Sequence, residues 1–375
     1  MIARIRISAA LSLAAALFSS FVLLAGCGGK SKTPGPAANS EFLFIADLDS
    51  SKIDAFTLVP TSGALTAVTN TPFASDYRPI SIVVHPTADT FYVANNGNSS
   101  TCSANLTAPG SLTAYTYDKT GTPAKVAEHC LPDAPTQLLI SSDGSTVFAL
   151  MPNTGQITAL STSGASHDAA VVNTITVAGG AHPMHMALSS DGKTLYAADP
   201  AGLLTVFAVN GSTLTEAAGS PLPLPDKLDD LTCCNGSSLY IVDSNARNLV
   251  QYTIASANGT VSATRGGAIA TDQFPNHLIL ANKNANLLVT NLTVGQLSLF
   301  GVDANSGAPT AQITQSATGI YPTCIFVDPS NTYFYVTNYH ANTVSGFQLS
   351  SGLLSTTGSG TTGASPICGA AAHPA

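Results

Sequence analysis

The sequence contains no tryptophan, and only 9% of its 375 residues are charged. Basic side chains are few, with 13 Lys and Arg against 21 Asp and Glu. Proteins that bind nucleic acid rely on clustered basic side chains to neutralise phosphate. The composition therefore argues against a nucleic-acid partner. It also predicts a surface made mostly of Ser, Thr, Asn, Gly and Ala.

The sequence also lacks the pattern of a membrane-spanning segment, although it has one extended apolar stretch. This stretch follows Arg4 and Arg6 and ends in Leu24-Ala25-Gly26-Cys27. Basic residues before a short apolar run that ends in small residues are typical of a secretory signal. The last four residues match the lipobox of bacterial lipoproteins, in which the cysteine is lipidated. An ordinary signal peptide with a chance cysteine is the alternative.

These features predict an exported lipoprotein in three parts. We expect residues 1–26 to be the signal peptide, residues 27–40 to be a flexible tether that begins at the lipidated Cys27, and residues 41–375 to be one domain. Several acyl chains on one cysteine anchor a protein stably, so the expected partner is a membrane. Gly28 after the cysteine suggests the outer membrane, and the expected location is the outer membrane and periplasm or the cell surface.

One block of sequence recurs through the remainder of the chain. It runs from Pro322 to Asn338 in its clearest copy, and further copies begin at Pro79, Pro135, Pro183 and Pro275. A degenerate copy begins at Lys227, and a half-copy begins at Pro366. Most starts lie 44 to 48 residues apart. A period of this length with strand-like content indicates repeated small sheets that cannot bury a core alone.

Each copy reads as four antiparallel strands, which is one blade of a β-propeller. Runs such as Leu204-Thr205-Val206-Phe207 alternate between apolar and polar residues, as a half-buried strand does. The half-copy at Pro366 supplies only an inner strand, while Glu41–Asp47 reads as a second strand without an inner one. We therefore predict an all-β fold, a seven-bladed propeller closed by pairing of the two terminal strands in the last blade.

Six cysteines follow Cys27 in what we expect to be an oxidising compartment. Six cysteines allow fifteen pairings, so sequence alone does not fix them. The best pair lies within one blade, a vicinal pair is possible, and a third pair occupies equivalent places on neighbouring inner strands. These candidates are Cys102 with Cys130, Cys233 with Cys234, and Cys324 with Cys368.

Alignment of the copies predicts which residues surround one mouth of the central channel. Two positions after each leading proline lie Ser81, Gln137, His185, Asp229, His277, Cys324 and Cys368. Two residues further along lie Val83, Leu139, Ala187, Leu231, Ile279, Phe326 and Ala370. A polar ring above an apolar throat is suited to a central ligand site. Ser81 and Gln137 are accordingly candidate ligand contacts.

Three consecutive positions of this ring could carry chemistry. His185, Asp229 and His277 could hold a divalent metal, or supply a general base and its orienting partner. Convergence of both histidines with the aspartate would favour hydrolysis, whereas exposed and separate histidines would favour binding. A solvated channel lining is the plainer interpretation, and no cofactor is otherwise expected.

Four cations are predicted in loops on the same face. They could attract an anionic ligand, or could be ordinary solvated charges: Arg78, Lys227, Arg247 and Lys52.

The repeat, with its literal Tyr335-Val336-Thr337-Asn338, resembles the YVTN-repeat and lactonase-type seven-bladed propellers, which include 6-phosphogluconolactonases. The resemblance covers residues 41–375. It implies that the Pro-x-His histidines, His185 and His277, lie near the family's pocket. A matching Arg and Glu set is not evident. Quinoprotein and WD40-type propellers fit poorly, because their Trp-rich or Trp-Asp signatures are missing.

Two functional hypotheses remain open at this point. The first is a monomeric envelope lipoprotein that binds a protein, glycan or small molecule at the channel face. The second is a lactone or ester hydrolase acting on an extracytoplasmic substrate. The scarcity of ionisable residues favours the first, and the histidines and aspartate of the ring support the second.

Overall fold

A computed structural model describes residues 41–97, 102, 110–164, 167–257 and 260–373, all of which belong to the compact unit Pro36–Ala375. The predicted signal peptide, Cys27 and the tether lie outside the described residues. Helix within these ranges is limited to the short turn Ala178–Gly180. No helix in this part of the chain is long and apolar enough to cross a membrane.

Seven antiparallel sheets make up the fold, and we number the blades by the order of their inner strands. The inner strands of blades 1 to 7 are Pro79–Val84, Gln137–Ile140, His185–Leu188, Asp230–Asn235, Pro275–Ala281, Pro322–Val327 and Pro366–Ala372. The second strands are Thr90–Asn95, Thr146–Met151, Thr194–Asp199, Ser238–Asp243, Asn286–Asn291, Tyr333–Asn338 and Glu41–Asp47.

The third strands are Gly110–Tyr117, Gln156–Ser161, Leu203–Asn210, Asn248–Ala257, Gln296–Val302, Thr343–Ser350 and Lys52–Leu58. The outer strands are Pro123–Leu131, Ala170–Thr176, Thr213–Glu216 with Leu222–Pro223, Thr260–Ala270, Pro309–Ala317, Leu353–Thr361, and Leu65–Ala67 with Phe73–Ala74. The prediction of an all-β, seven-bladed propeller of four-stranded blades is therefore confirmed.

Burial changes from the second strand to the outer strand of each blade, and the sequence explains the change. Second strands such as Tyr333–Asn338 are buried at every residue, because both of their faces pack against neighbouring blades. Outer strands such as Leu353–Thr361 are largely exposed and rich in Ser, Thr and Gly. The inner strands keep one edge unpaired, and this edge faces the channel.

The ring closes as predicted. The C-terminal strand Pro366–Ala372 pairs antiparallel with the N-terminal strand Glu41–Asp47, with Ile45 opposite Gly369. Blade 7 thus takes its inner strand from one end of the domain and its other strands from the opposite end.

The six cysteines pair as the candidates suggest, and the sulfur atoms of the Cys102–Cys130 and Cys324–Cys368 pairs lie at disulfide distance. Cys102 and Cys130 have Cα atoms 5.4 Å apart, and those of Cys324 and Cys368 are 5.1 Å apart. Cys233 pairs with its neighbour Cys234. The bridge between Cys324 and Cys368 joins the inner strands of blades 6 and 7.

Candidate functional site

A cavity of about 360 Å³ lies at the mouth where the inner strands begin. Six of the seven predicted ring positions line it, namely Ser81, Gln137, His185, His277, Cys324 and Cys368. Apolar side chains, including Ile80, Leu138, Met184, Ile325 and Phe326, supply much of the remaining wall. Its volume lies at the lower end of the range for small-molecule sites.

The seventh position was predicted wrongly by one residue. Asp230, rather than Asp229, lies opposite Val242 and so occupies the place that His277 takes opposite Thr290 in the next blade. Leu228, and not Lys227, holds the position that the leading proline takes in the other copies. Asp229 instead pairs with Lys227 and accepts the amide of Ser244 at 2.7 Å. The same shift puts Thr232, rather than Leu231, in the channel wall.

The ring side chains connect each blade to the next. Inner strands leave backbone N–H groups on the channel side, and a buried donor without a partner is costly. Ser81 Oγ accepts the N–H of Leu138 in blade 2 at 3.1 Å. Gln137 Oε1 accepts the N–H of Met186 in blade 3 at 2.6 Å, and its Nε2 donates to the carbonyl of the same residue at 3.1 Å.

The same device continues through blades 4, 5 and 6. Asp230 Oδ2 accepts the N–H of Leu278 at 3.0 Å, and His277 Nδ1 accepts that of Ile325 at 3.3 Å. Because Nδ1 of His277 accepts this bond, the proton of the neutral ring lies on Nε2. That Nε2 lies 3.9 Å from Asp230 Oδ2. His277 therefore holds a backbone amide through Nδ1, and its Nε2 makes only a longer electrostatic contact with Asp230.

His185 differs from the other members of the ring. Its Nδ1 lies 3.1 Å from Oδ1 of Asp230, which is only 2% exposed. Its Nε2 has no hydrogen-bond partner among the described residues, and the ring lines the cavity. A carboxylate that accepts Nδ1–H fixes the tautomer and leaves the Nε2 lone pair available as a base. The two histidines thus converge on one aspartate, but Nε2 of the neutral His277 carries the proton, and His185 is the one that keeps an Nε2 lone pair at the cavity.

The charges of this cluster are set by burial and by mutual contact. Burial by itself raises the pKa of Asp230, but the neighbouring His277 and His185 and the Leu278 amide outweigh it and hold this pKa below its usual range. Burial lowers the pKa of His277, although Asp230 opposes the change. The arrangement is therefore an ionised Asp230 beside a neutral His277, with Nδ1 of His185 on its other oxygen.

The four predicted cations lie outside the cavity wall, and Lys52 begins the third strand of blade 7 and does not lie in a loop. Arg78 lies 4.0 Å from Asp49, and Lys227 pairs with Asp229 and donates to Ser244 at 3.1 Å. Arg247 is likewise absent from the lining. His185 and His277 are the ionisable side chains that line the cavity within the described ranges.

A metal centre has less geometric support than a base. No group of three or more His, Cys, Asp or Glu side chains is arranged to hold a metal ion in the part of the chain that the structure describes. Any metal bound by His185 and Asp230 would have to replace the contact between them.

The family model for lactonases with a seven-bladed β-propeller matches residues 35–215 and 234–370. The chain belongs to this lactonase family. No curated protein matches the sequence. The gap in the match, residues 216–233, contains the degenerate start of blade 4 and both Asp229 and Asp230.

Solved structures resemble this lactonase-family propeller along nearly its whole length. The periplasmic gluconolactonase PpgL of Pseudomonas aeruginosa is 20% identical, with a TM-score of 0.71 over 90% of this chain and 99% of that one. A 6-phosphogluconolactonase candidate from Bacteroides uniformis is 16% identical, with a TM-score of 0.74 over 90% of this chain and 100% of that one. At these identities the likeness establishes the shared fold.

Proposed function

We propose that this protein hydrolyses a lactone at the channel mouth, with His185 as general base and Asp230 as its orienting partner. The observation that carries the proposal is the buried Asp230 carboxylate 3.1 Å from His185 Nδ1, which leaves Nε2 free at the cavity. Membership of the lactonase family supports the reaction class. This chemistry was the alternative hypothesis from the sequence, and the position of Asp230 strengthens it.

The reaction needs one water and no change of oxidation state. His185 Nε2 removes a proton from water as its oxygen bonds to the lactone carbonyl carbon, and the carbonyl oxygen takes the negative charge. When the carbonyl re-forms, the bond to the ring oxygen breaks. The imidazolium then returns the proton to that oxygen and gives a hydroxy acid. Asp230 stabilises the imidazolium and keeps Nδ1 protonated.

The proposal is tested with a panel of lactones and purified protein, with and without divalent metals and a chelator. We expect His185→Ala and Asp230→Asn each to lower kcat by about a hundredfold or more, because general acid–base catalysis contributes on that scale. Asp229→Asn is the matched control, since Asp229 is a neighbouring carboxylate outside the ring. Turnover that survives His185→Ala, or a wild-type protein inactive on every lactone, would overturn the proposal.

A binding role is the second candidate, and one observation favours it. Ser81, Gln137, Asp230 and His277 are all engaged in contacts between blades, so most of the polar ring holds the fold together. A scaffold that binds a protein, glycan or small molecule at this face needs no free base. Inactivity on lactones together with saturable ligand binding would favour this role.

We also propose export and lipid anchoring at Cys27, with the propeller on the outer membrane or cell surface. The lipobox and the preceding Arg4 and Arg6 support this location. We expect Cys27→Ser to release the protein into the soluble fraction, whereas the wild-type protein stays with the membrane. A soluble wild-type protein would contradict the proposal.

A further inference from the structure

A second cavity of about 520 Å³ continues the channel below the mouth. The two cavities share Ile82, Ile325, Phe326 and Gly369 in their walls, so they meet at this level. The lower wall adds aliphatic side chains such as Val83, Ile279 and Val327. No charged side chain lines the lower cavity within the described ranges.

Phe326 marks the boundary between the two cavities. Its ring packs on Tyr335, with centroids 5.8 Å apart. The same ring also lies against Gly369, where a Cβ would come within 2.9 Å of the Phe326 ring. The absence of a side chain at Gly369 therefore makes the space that this ring fills. A smaller residue at position 326 would open the upper cavity towards the lower one.

The charges around the mouth disfavour an anionic ligand. The buried Asp230 carboxylate lies directly behind His185, and none of the described Lys or Arg side chains lines the cavity to offset it. A phosphorylated lactone would bring its negative charge into this site without a partner. Met184, an apolar side chain that lines the cavity and is 39% exposed, instead favours an apolar substituent.

From these observations we propose that the substrate is an uncharged lactone with an unbranched alkyl chain, and that Phe326 sets the length of chain accepted. The inference rests on the proposed lactone hydrolysis at His185. The lactone ring lies at the mouth beside His185, and the chain extends along Ile82 and Ile325 towards Phe326. The apolar wall stabilises the chain by burial alone, so each added methylene strengthens binding until the chain meets the phenyl ring.

The test is a chain-length series from γ-butyrolactone to γ-dodecalactone, assayed with the full-length protein. For the wild type we expect kcat/KM to rise about three- to fourfold per methylene, and then to level off. In the Phe326→Leu variant, we expect kcat/KM to keep rising to longer alkyl chains before it levels off. Phe334→Leu is the matched control: Phe334 is a fully buried phenylalanine of the same blade outside both cavity walls, and this variant keeps the wild-type profile.

A binding measurement separates this inference from the hydrolysis that it rests on. Calorimetry of the same lactones with His185→Ala reports chain-length dependence without turnover. Affinity that rises with chain length, in the absence of any hydrolysis by the wild type, would overturn the hydrolase and support the alkyl-chain site. Hydrolysis that is independent of chain length, or faster on 6-phosphogluconolactone than on any alkyl lactone, would overturn the alkyl-chain site and leave the hydrolase intact.

Discussion

At the scale of single residues, His185 and His277 occupy equivalent positions of the repeat but have different roles. His277 uses Nδ1 to accept the amide of Ile325 at 3.3 Å and points Nε2 towards Asp230. His185 uses only Nδ1, and its side chain is 31% exposed at the cavity. The difference arises because blade 4 places a carboxylate beside His185, so that histidine bonds to a side chain rather than to a backbone amide.

This division predicts opposite outcomes for the two histidines. His277→Ala leaves the Ile325 N–H without an acceptor, so we expect the free energy of unfolding to fall by about 1–3 kcal/mol. Lactone turnover at a temperature where the variant is folded should change far less than in His185→Ala. Urea denaturation and the lactone assay measure the two effects. His277→Asn restores an acceptor and should recover part of the stability.

One result would contradict the structural role of His277. A His277→Ala protein with wild-type stability and no hydrolysis would place His277 in the chemistry rather than in the scaffold.

The site was predictable only in part, for a reason visible in blade 4. The repeat placed Ser81, Gln137, His185 and His277 in one ring, because identical spacing from a proline gives identical positions on an inner strand. It missed Asp230 because the proline is absent there. Side chains alternate along a strand, so an error of one residue in the alignment exchanges the side chain that faces the channel for one that faces away from it. The run Leu228-Asp229-Asp230-Leu231 offers two carboxylates, and only the register chooses between them.

At the scale of elements, the inner strand decides both the fold and the site. Each inner strand pairs on one edge only, and its channel edge needs acceptors for its N–H groups. Blades 1, 2, 4 and 5 provide these acceptors from a single ring side chain, as Gln137 does for Met186. A polar ring is therefore a structural requirement of this propeller. A ring side chain can take part in a reaction only if one of its polar atoms is not bonded to the neighbouring blade.

The strand pattern itself was almost fully predictable from the sequence. The period of the repeat and the alternation of apolar and polar residues locate most strands. The second strands are recognised as uniformly apolar runs such as Phe91-Tyr92-Val93-Ala94, because both of their faces are buried. The contacts between blades were not predictable. They depend on which side chain reaches across the channel, as with Ser81 and the amide of Leu138, and residues far apart in sequence carry no periodic signal of such a contact.

At the scale of the whole molecule, the closing blade contains a buried carboxyl group without hydrogen-bond partners among the described residues. The ends of the second strands in blades 1, 5 and 6 carry asparagines whose amides donate to hydroxyls, as Asn338 does to Ser345 at 2.9 Å. Blade 7 instead has Asp47, fully buried, with Asp54 on the third strand. Both oxygens of Asp47 lack a hydrogen-bond partner among the described residues. Burial and the adjacent Asp54 raise the pKa of Asp47 to about 9.

The ring should therefore lose stability as the pH rises. The unfolded chain releases the Asp47 proton near its ordinary pKa of 3.8, whereas the folded chain holds it until about 9. Between these values the unfolded state binds fewer protons, so rising pH favours unfolding by up to about 1.4 kcal/mol per pH unit. Asp47→Asn removes this ionisation and supplies an amide that can donate to Asp54, whose Oδ2 already accepts the N–H of Gly363 at 2.6 Å.

We expect the Asp47→Asn protein to be more stable than the wild type by up to about 5 kcal/mol at pH 8, with the advantage shrinking towards pH 4. Urea denaturation across this range measures the difference. Asn95→Asp is the matched control: it puts the same acid into blade 1 opposite Ser111 and Thr113, and should make that blade sensitive to rising pH. If Asp47→Asn leaves the pH dependence unchanged, the buried carboxyl is not what makes closure pH-sensitive. The junction of the two termini would then depend on the strand pairing of Glu41–Asp47 with Pro366–Ala372 alone.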